Sequence, residues 1–268
     1  MITDVLINGA PSDGRIPVTD STVLRGDGCF EVLRSYDGKL FGMDEHLDRL
    51  ARSASALHID LPLRDDLIAW VEKTAAALGN GAVRVVVSRG SAVPGHDAPS
   101  NVIVFGHTWD DELAPARLKT VVAPWHAAGV AWQLAGAKLT SYAPNMSASR
   151  TARDAGYDDA MLLTTEGVVL EGPTFSIAWV VDGVVETPGL ELGILDSITR
   201  RSMVGVAGRS GVQVVEGTWN VERLEDATEV MAVSTLREVQ PVIGVDDREW
   251  EPGRVTEILG KGFEELTG

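Results

Sequence analysis

Two segments decide the expected fold of this chain: GAKLTSYAPNM (residues 136–146) and GVVLEGPT (residues 167–174). Lys138 comes shortly before a predicted helix start, because Pro144 is tolerated in the first turn of a helix. Glu171 follows the apolar run of a predicted strand. A lysine amine can attack a carbonyl carbon, and a carboxylate can hold a ring nitrogen in its protonated form. The two segments therefore predict carbonyl–amine chemistry that uses a cofactor ring.

The composition is that of a globular protein rather than a disordered chain. The 268 residues, 44% of them hydrophobic, are enough for one large or two small domains. No apolar run approaches the roughly 20 residues that a membrane helix needs, so we expect no membrane association. Cys29 is the only cysteine, and the N-terminus lacks the basic and apolar regions of a signal peptide. Both features favour a cytoplasmic location.

The charge of the chain argues against one class of partner. A formal net charge of −16 repels nucleic acid backbones, so we expect no polynucleotide binding. Any phosphate or carboxylate site must be built locally, from arginines and helix N-termini. The five histidines show no metal-ligand spacing, so we expect no metal site.

Helical and strand-like segments alternate along both halves of the chain. Residues 28–41 predict a hairpin with an Asp-Gly turn, and helices are predicted after Asp44 and over residues 63–78, before Gly79. Later patterns predict a strand pair at residues 159–164 and 167–170. The result is an α/β (α+β) fold with two domains. We expect a small N-terminal α/β domain (1–112), a linker (113–125) and a larger C-terminal α/β domain (126–268).

Several short motifs occur in a fixed order between about Gly26 and Val242. They are HLDRL (46–50), GAKLTSYAPN (136–145), LEGPT (170–174), GILDSITR (193–200) and VSTLREV (233–239). Together they resemble the class IV, or fold type IV, enzymes that depend on pyridoxal 5′-phosphate. That family includes branched-chain and D-amino acid aminotransferases and aminodeoxychorismate lyase. The resemblance implies a two-domain fold type IV enzyme, a pyridoxal phosphate cofactor and a homodimer that acts on amino acids and oxo acids.

The resemblance assigns roles in holding the cofactor ring. Lys138 matches the lysine that forms the Schiff base and moves the substrate proton. Tyr142 resembles a tyrosine that donates to the phenolic oxygen, although its spacing from the lysine varies in the family. Glu171 matches the glutamate that contacts the pyridine nitrogen, and Leu195 matches a residue that packs on one ring face.

The resemblance also implies which residues bind the cofactor phosphate. Arg49 matches the arginine of the family's His-x-x-Arg-Leu motif, and its planar fork suits phosphate oxygens. Ile198 and Thr199 match a helix start whose backbone N–H groups and hydroxyl hold the phosphate. Thr235 matches a further phosphate hydroxyl.

Three arginines are candidates for substrate binding. Arg89 resembles the arginine that binds the substrate α-carboxylate in D-amino acid transaminases, and His96, seven residues later, could assist it. Arg34 and Arg237 are further candidate ligands for a substrate carboxylate.

The motifs leave three functions open. The first is a transaminase that moves an amino group between an amino acid, or a primary amine, and a 2-oxo acid through a Lys138 Schiff base. The second is 4-amino-4-deoxychorismate lyase, which shares the early steps but expels pyruvate and leaves 4-aminobenzoate. The third is a non-catalytic α/β binding protein. We favour the transaminase.

Overall fold

The chain forms two compact units in a computed structural model that describes residues 2–91, 93, 95, 98–109 and 113–267. The first unit comprises Met1–Asp111 and Ala137–Tyr142, and the second comprises Glu112–Gly136 and Ala143–Gly268. Across the described ranges, no helix is both long enough and apolar enough to cross a membrane.

The first unit is a sheet of six described strands in the order β2-β1-β6-β5-β3-β4, with every neighbouring pair antiparallel. Helices α2 and α3 pack against it through a core that includes Leu47, Leu50, Val71 and Val85. The elements are β1 (Val5–Ile7), β2 (Ala10–Ser12), α1 (Ser21–Arg25), β3 (Gly28–Tyr36), β4 (Lys39–Leu40), α2 (Met43–Ala56), α3 (Arg64–Leu78), β5 (Gly81–Ser88) and β6 (Asn101–His107).

Local sequence explains these elements well. The β3–β4 hairpin turns at Asp37 and Gly38, whose φ angles of 48° and 84° lie in the left-handed region that Asp-Gly turns require. The apolar face of α2, with its spacings of three and four residues, is the face that enters the core. Helix α3 ends at Gly79, which has a φ of 71° and serves as its C-cap.

The second unit contains a mixed sheet of eight described strands, ordered β11-β10-β9-β12-β13-β7-β8, with β14 paired to β13. Strand β7 is parallel to both of its neighbours. The elements are β7 (Ala116–Val122), α4 (Ala143–Asp154), β8 (Asp159–Leu163), β9 (Ser176–Val181), β10 (Val184–Pro188), α5 (Ile198–Arg209), β11 (Val214–Gly217), β12 (Glu229–Ser234), β13 (Glu238–Val245), β14 (Arg248–Glu249) and α6 (Arg254–Thr267), with short 3₁₀ helices at Leu190–Leu192 and Val221–Asp226.

Both faces of this sheet are buried. Helices α5 and α6 cover one face through a cluster that includes Met203, Met231 and Leu259. The other face carries a cluster around Trp179, whose ring meets that of Trp219 edge-on at 5.4 Å. Burial on both faces explains why β9 and β12 are apolar without alternation.

The predicted linker, residues 113–125, differs from the structure because it contains β7. The linker was predicted from the polar stretch between Trp109 and Pro115, and it was extended to residue 125. In the structure, Arg117 pairs with Glu249 and Lys119 lies over the ring of Tyr157. Both charged residues therefore belong to strand β7 rather than to a loop, and each has a contact outside the strand. The predicted boundaries also separated residues 137–142 from the first unit, with which they pack.

Candidate active site

The residues predicted to form the site are divided between the two units. The first unit contains Arg34, Arg49, Arg89, Lys138 and Tyr142. The second unit contains Glu171, Leu195, Ile198, Thr199, Thr235 and Arg237.

The backbone around Lys138 is extended and hydrogen-bonded to the start of β3. Phe30 N donates to Lys138 O at 3.0 Å, and Thr140 N donates to Gly28 O at 2.9 Å. Lys138 N donates to the Ser53 hydroxyl of α2 at 3.0 Å. The lysine is thus held on both sides of its peptide unit, which fixes the origin of its side chain.

The side chain of Lys138 is buried beside two aromatic rings. Its residue exposure is 9%. The amine Nζ lies 4.6 Å from the ring centre of Phe30 and 5.7 Å from that of Tyr142. The two rings meet edge-on at 5.3 Å. Lys138 and Tyr142, both predicted to contact the cofactor, are therefore neighbours, and Phe30 is a further contact of the lysine that the sequence motifs did not indicate.

Arg49 lies in a buried cluster with Glu31 and His46. Its Nε and Nη2 donate to the two carboxylate oxygens of Glu31, each at 2.7 Å, and His46 Nδ1 lies 2.8 Å from Glu31 Oε2. Burial alone would raise the pKa of Glu31. The hydrogen bonds and charge of Arg49, with help from His46, outweigh burial and lower that pKa to about 2. Glu31 is therefore ionised and anchors the Arg49 fork.

His46 is neutral in this cluster. Burial lowers its pKa from the ordinary value of 6.5, and Glu31 opposes that effect. Because Glu31 is an anion, His46 must carry its proton on Nδ1 to donate to it. Nε2 is buried and has no hydrogen-bond partner among the described residues. The HLDRL motif predicts a role for Arg49 alone and none for His46, and no motif predicts a role for Glu31.

Glu171 is held by the backbone in the second unit. Its main chain pairs with β8, since Leu162 N donates to Glu171 O at 2.8 Å. Leu195 N lies 3.3 Å from one carboxylate oxygen and 3.4 Å from the other. His126 Nε2 lies 3.8 Å from Glu171 Oε1. His126 follows directly after Trp125, but no sequence signal linked it to Glu171.

The turn after Glu171 leaves no room for a side chain at Gly172 unless the Phe175 ring moves. Gly172 N donates to Phe175 O at 2.7 Å. A Cβ on Gly172 would lie 2.2 Å from the Phe175 ring, closer than side chains come in practice. The Glu-Gly pair of the sequence motif therefore has a packing reason in this chain.

The start of α5 presents an unsatisfied hydroxyl. Ser197 caps the helix and accepts from Arg200 N at 3.2 Å. Ile198 and Thr199 are buried, and Thr199 Oγ1 has no hydrogen-bond partner among the described residues. A buried hydroxyl beside free helix N–H groups is a favourable environment for an anion. Thr235 lies half-buried in the turn between β12 and β13.

The three predicted substrate arginines already have protein contacts. Arg34 is buried and lies over the ring of Tyr36 at 5.1 Å. Arg89 donates to the carboxylate of Asp27. Arg237 donates to Asp159 at 2.8 Å, next to the ring of Phe175. His96, predicted to assist Arg89, lies outside the described residues.

The chain belongs to the amino-transferase class IV family, whose model matches residues 28–245. This confirms the predicted resemblance and the expectation of an enzyme. The chain is 31% identical to a putative branched-chain-amino-acid aminotransferase of Methanocaldococcus jannaschii, over 95% of this chain and 92% of that protein. It is 29% identical to a D-alanine aminotransferase of Staphylococcus epidermidis, over 98% and 97%.

Solved structures confirm the predicted α/β fold type IV class. The branched-chain aminotransferase from Thermoproteus uzoniensis, solved with norvaline, superposes with a TM-score of 0.88 at 27% identity, covering 100% of this chain and 95% of that one. A hypothetical aminotransferase from Mycobacterium tuberculosis, in a PLP-bound form, has a TM-score of 0.88 at 25% identity, covering 99% of each chain.

Proposed function

We propose that the protein is a pyridoxal phosphate-dependent transaminase that moves an amino group between an amino acid, or a primary amine, and a 2-oxo acid. The observation that carries this proposal is the buried Lys138, held on both sides of its peptide unit within a class IV aminotransferase chain. Lysine side chains are seldom buried to this extent in a folded protein. Burial is the expected state of an amine that must react with a carbonyl group.

The residues present fit the cofactor. Thr199 Oγ1 is buried without a partner in the described part of the chain, at the start of a twelve-residue helix. Such an orphan hydroxyl suits a phosphate oxygen. Glu171 offers a carboxylate whose orientation is set by Leu195 N. When bound, pyridoxal phosphate supplies an aldehyde and a ring that withdraws electrons from the amino acid carbon.

Each predicted residue has a role in holding this group or in moving a proton. Lys138 Nζ takes the proton from the Cα of the amino acid. With pyridoxal phosphate bound, Glu171 would keep a proton on the ring nitrogen, which strengthens the ring as an electron acceptor. Tyr142 would hydrogen-bond the phenolic oxygen, and Leu195 would contact the ring. The phosphate ligands in this proposal are Arg49, Ile198, Thr199 and Thr235.

Substrate binding and assembly are part of the same proposal. Arg34, Arg89 and Arg237 are the candidate ligands for the substrate carboxylate, because a guanidinium pairs with a carboxylate through two N–H donors. We expect a homodimer in the cytoplasm. The single cysteine, Cys29, is buried, which agrees with a protein that does not depend on disulfides.

Single-turnover reactions test the reaction class. The pyridoxal phosphate-loaded protein is mixed with D-alanine, L-leucine or a primary amine, and the released oxo product is quantified. We expect stoichiometric release of a 2-oxo acid from at least one amino acid, and reversal when a second 2-oxo acid is added. Formation of 4-aminobenzoate from aminodeoxychorismate, with no amino transfer from any donor, would instead show a lyase.

A further inference from the structure

Arg89, which directly follows β5, is engaged by its own chain. Its Nε donates to Asp27 Oδ2, and its Nη2 donates to Asp27 Oδ1 at 3.1 Å and to the carbonyl of Leu57. The ion pair is only about one-third exposed, with side-chain exposures of 32% and 29%. Three hydrogen bonds from one guanidinium therefore hold two separate segments of the first unit, one at Asp27 and one at Leu57.

Asp27 is the central residue of a tight turn that contacts the lysine segment. Thr140 donates through its hydroxyl to Gly26 O at 2.8 Å and through its N–H to Gly28 O at 2.9 Å. Gly26 has a φ of 68°, and a Cβ there would lie 2.9 Å from Ser141 Cα. The turn and the segment that follows Lys138 are thus packed backbone to backbone. Any displacement of the turn must displace the lysine segment.

The turn is also fixed from its other side. Thr22 Oγ1 donates to Asp27 O at 2.8 Å, and Ser21 Oγ lies 3.4 Å from the Asp27 carboxylate. Arg89 supplies the only charged contact to that carboxylate among the described residues. Removing it would leave a half-buried carboxylate against the turn without a counter-charge.

Charge argues against a substrate carboxylate at Arg89. An incoming carboxylate would meet a guanidinium whose charge is already balanced by Asp27. It would also lie beside a second carboxylate of the same sign, which disfavours binding. A two-donor grip on a substrate carboxylate would need Nη2 of Arg89, which already donates to Asp27 and to the carbonyl of Leu57, so it would disturb the contacts that hold the turn.

We propose that Arg89 is a positioning residue, whose ion pair with Asp27 fixes the turn at residues 26–28 and through it the Lys138 segment, and that the substrate carboxylate is bound elsewhere. This inference rests on the proposed function, because it assumes that Lys138 is the reactive amine. It removes Arg89 from the set of substrate ligands and adds Asp27 as its partner.

The test compares Arg89→Gln with Asp27→Asn in the pyridoxal phosphate-loaded protein. The half-reaction with the preferred amino acid gives a first-order rate constant and a substrate dissociation constant. We expect both variants to lower the rate constant about 10- to 100-fold, because small misplacements of a reacting group have effects of that size. We expect substrate dissociation to change by less than about threefold in both. The double variant should be no slower than either single one, since both remove the same interaction.

A spectroscopic readout separates positioning from a general loss of structure. The visible absorbance of the lysine-bound cofactor is titrated with pH, and its midpoint should shift by the same amount in both variants. Arg64→Gln removes an exposed pair with Asp44 and Asp48 in the same unit and should leave every value unchanged. If either neutral variant does not fold, Arg89→Lys and Asp27→Glu replace them. These variants keep the charges but change the side-chain lengths, and the same rate and dissociation constants are compared.

A different pattern would overturn the proposal. If Arg89 binds the substrate carboxylate, Arg89→Gln raises the substrate dissociation constant about 10- to 100-fold, as expected for a lost charged hydrogen bond. Asp27→Asn would then leave substrate binding unchanged or tighter. Failure of the proposed function is distinguishable, because the wild-type protein itself would then release no 2-oxo acid in the half-reaction.

Discussion

Replacement of Glu31 by glutamine tests the buried cluster that anchors Arg49. The Glu31 carboxylate has no exposure and accepts two hydrogen bonds from Arg49 and one from His46. Glutamine has the same shape but no charge. It removes the negative charge that faces the buried guanidinium of Arg49. The amide also has one acceptor oxygen where the carboxylate has two, so it can accept only some of the hydrogen bonds that Arg49 and His46 donate.

The expected loss of stability follows from the pKa of Glu31. That pKa falls from its ordinary value of 4.5 to about 2 on folding. At 1.36 kcal/mol for each pKa unit, this corresponds to about 3 kcal/mol, which agrees with the cost of removing one partner of a buried ion pair. Because the folded pKa is lowered, the stabilisation is complete above about pH 4.5 and is lost as the pH falls towards 2.

Urea denaturation of Glu31→Gln and wild type, followed by circular dichroism, measures the difference. At pH 7 we expect the free energy of unfolding to fall by about 3 kcal/mol. The variant should also lose the part of the decline in stability below about pH 4.5 that comes from protonation of Glu31. His46 should still destabilise both proteins as the pH falls below 6.5, since burial lowers its pKa and keeps it neutral in the folded chain.

Glu249→Gln is the matched control, because Glu249 also pairs with an arginine but is 70% exposed. We expect it to change stability by less than about 0.5 kcal/mol. A Glu31→Gln variant as stable as this control at pH 7 would refute the reasoning, since it would show that the buried carboxylate contributes no more than an exposed one.

Three further changes have defined outcomes. Thr199→Val should weaken pyridoxal phosphate binding about tenfold, because it removes a hydroxyl expected to reach the phosphate. Thr199→Ser keeps the hydroxyl and should bind normally. Equal affinities of the two variants would show that Thr199 is not a phosphate ligand. Glu171→Gln should slow single-turnover amino transfer about 100-fold, because an amide does not keep the ring nitrogen protonated, and an unchanged rate would disprove that role. Glu229→Ala should lower the free energy of unfolding by about 1–2 kcal/mol, because Glu229 accepts hydrogen bonds from Val255 N and Thr256 N at the start of α6. An unchanged melting temperature would contradict this capping role.

Local patterns in the sequence were enough to predict a structural element when the residues that define it are close together in the chain. The Asp37-Gly38 turn, the apolar face of α2 and the Gly79 cap all follow from residues within one or two turns of each other. Strand β7 could not be predicted in this way. Its charged residues are accommodated by Glu249 and Tyr157, which lie far along the chain.

The candidate site shows the same division. The motifs made Lys138, Arg49 and Glu171 candidate site residues because each has a recognisable local context. Their partners come from distant segments: Glu31 lies 18 residues before Arg49, and His126 lies far before Glu171. Such contacts depend on strand register and packing, which a single sequence does not encode in any short pattern.

We propose that Lys138 is the amine that reacts with the cofactor, and chemical trapping tests this directly. The protein is loaded with pyridoxal 5′-phosphate and reduced with borohydride, and the modified peptide is located by mass spectrometry. We expect one modified residue, Lys138, and no modification in a folded Lys138→Ala variant. A label on another lysine, or an equal label in Lys138→Ala, would contradict the account.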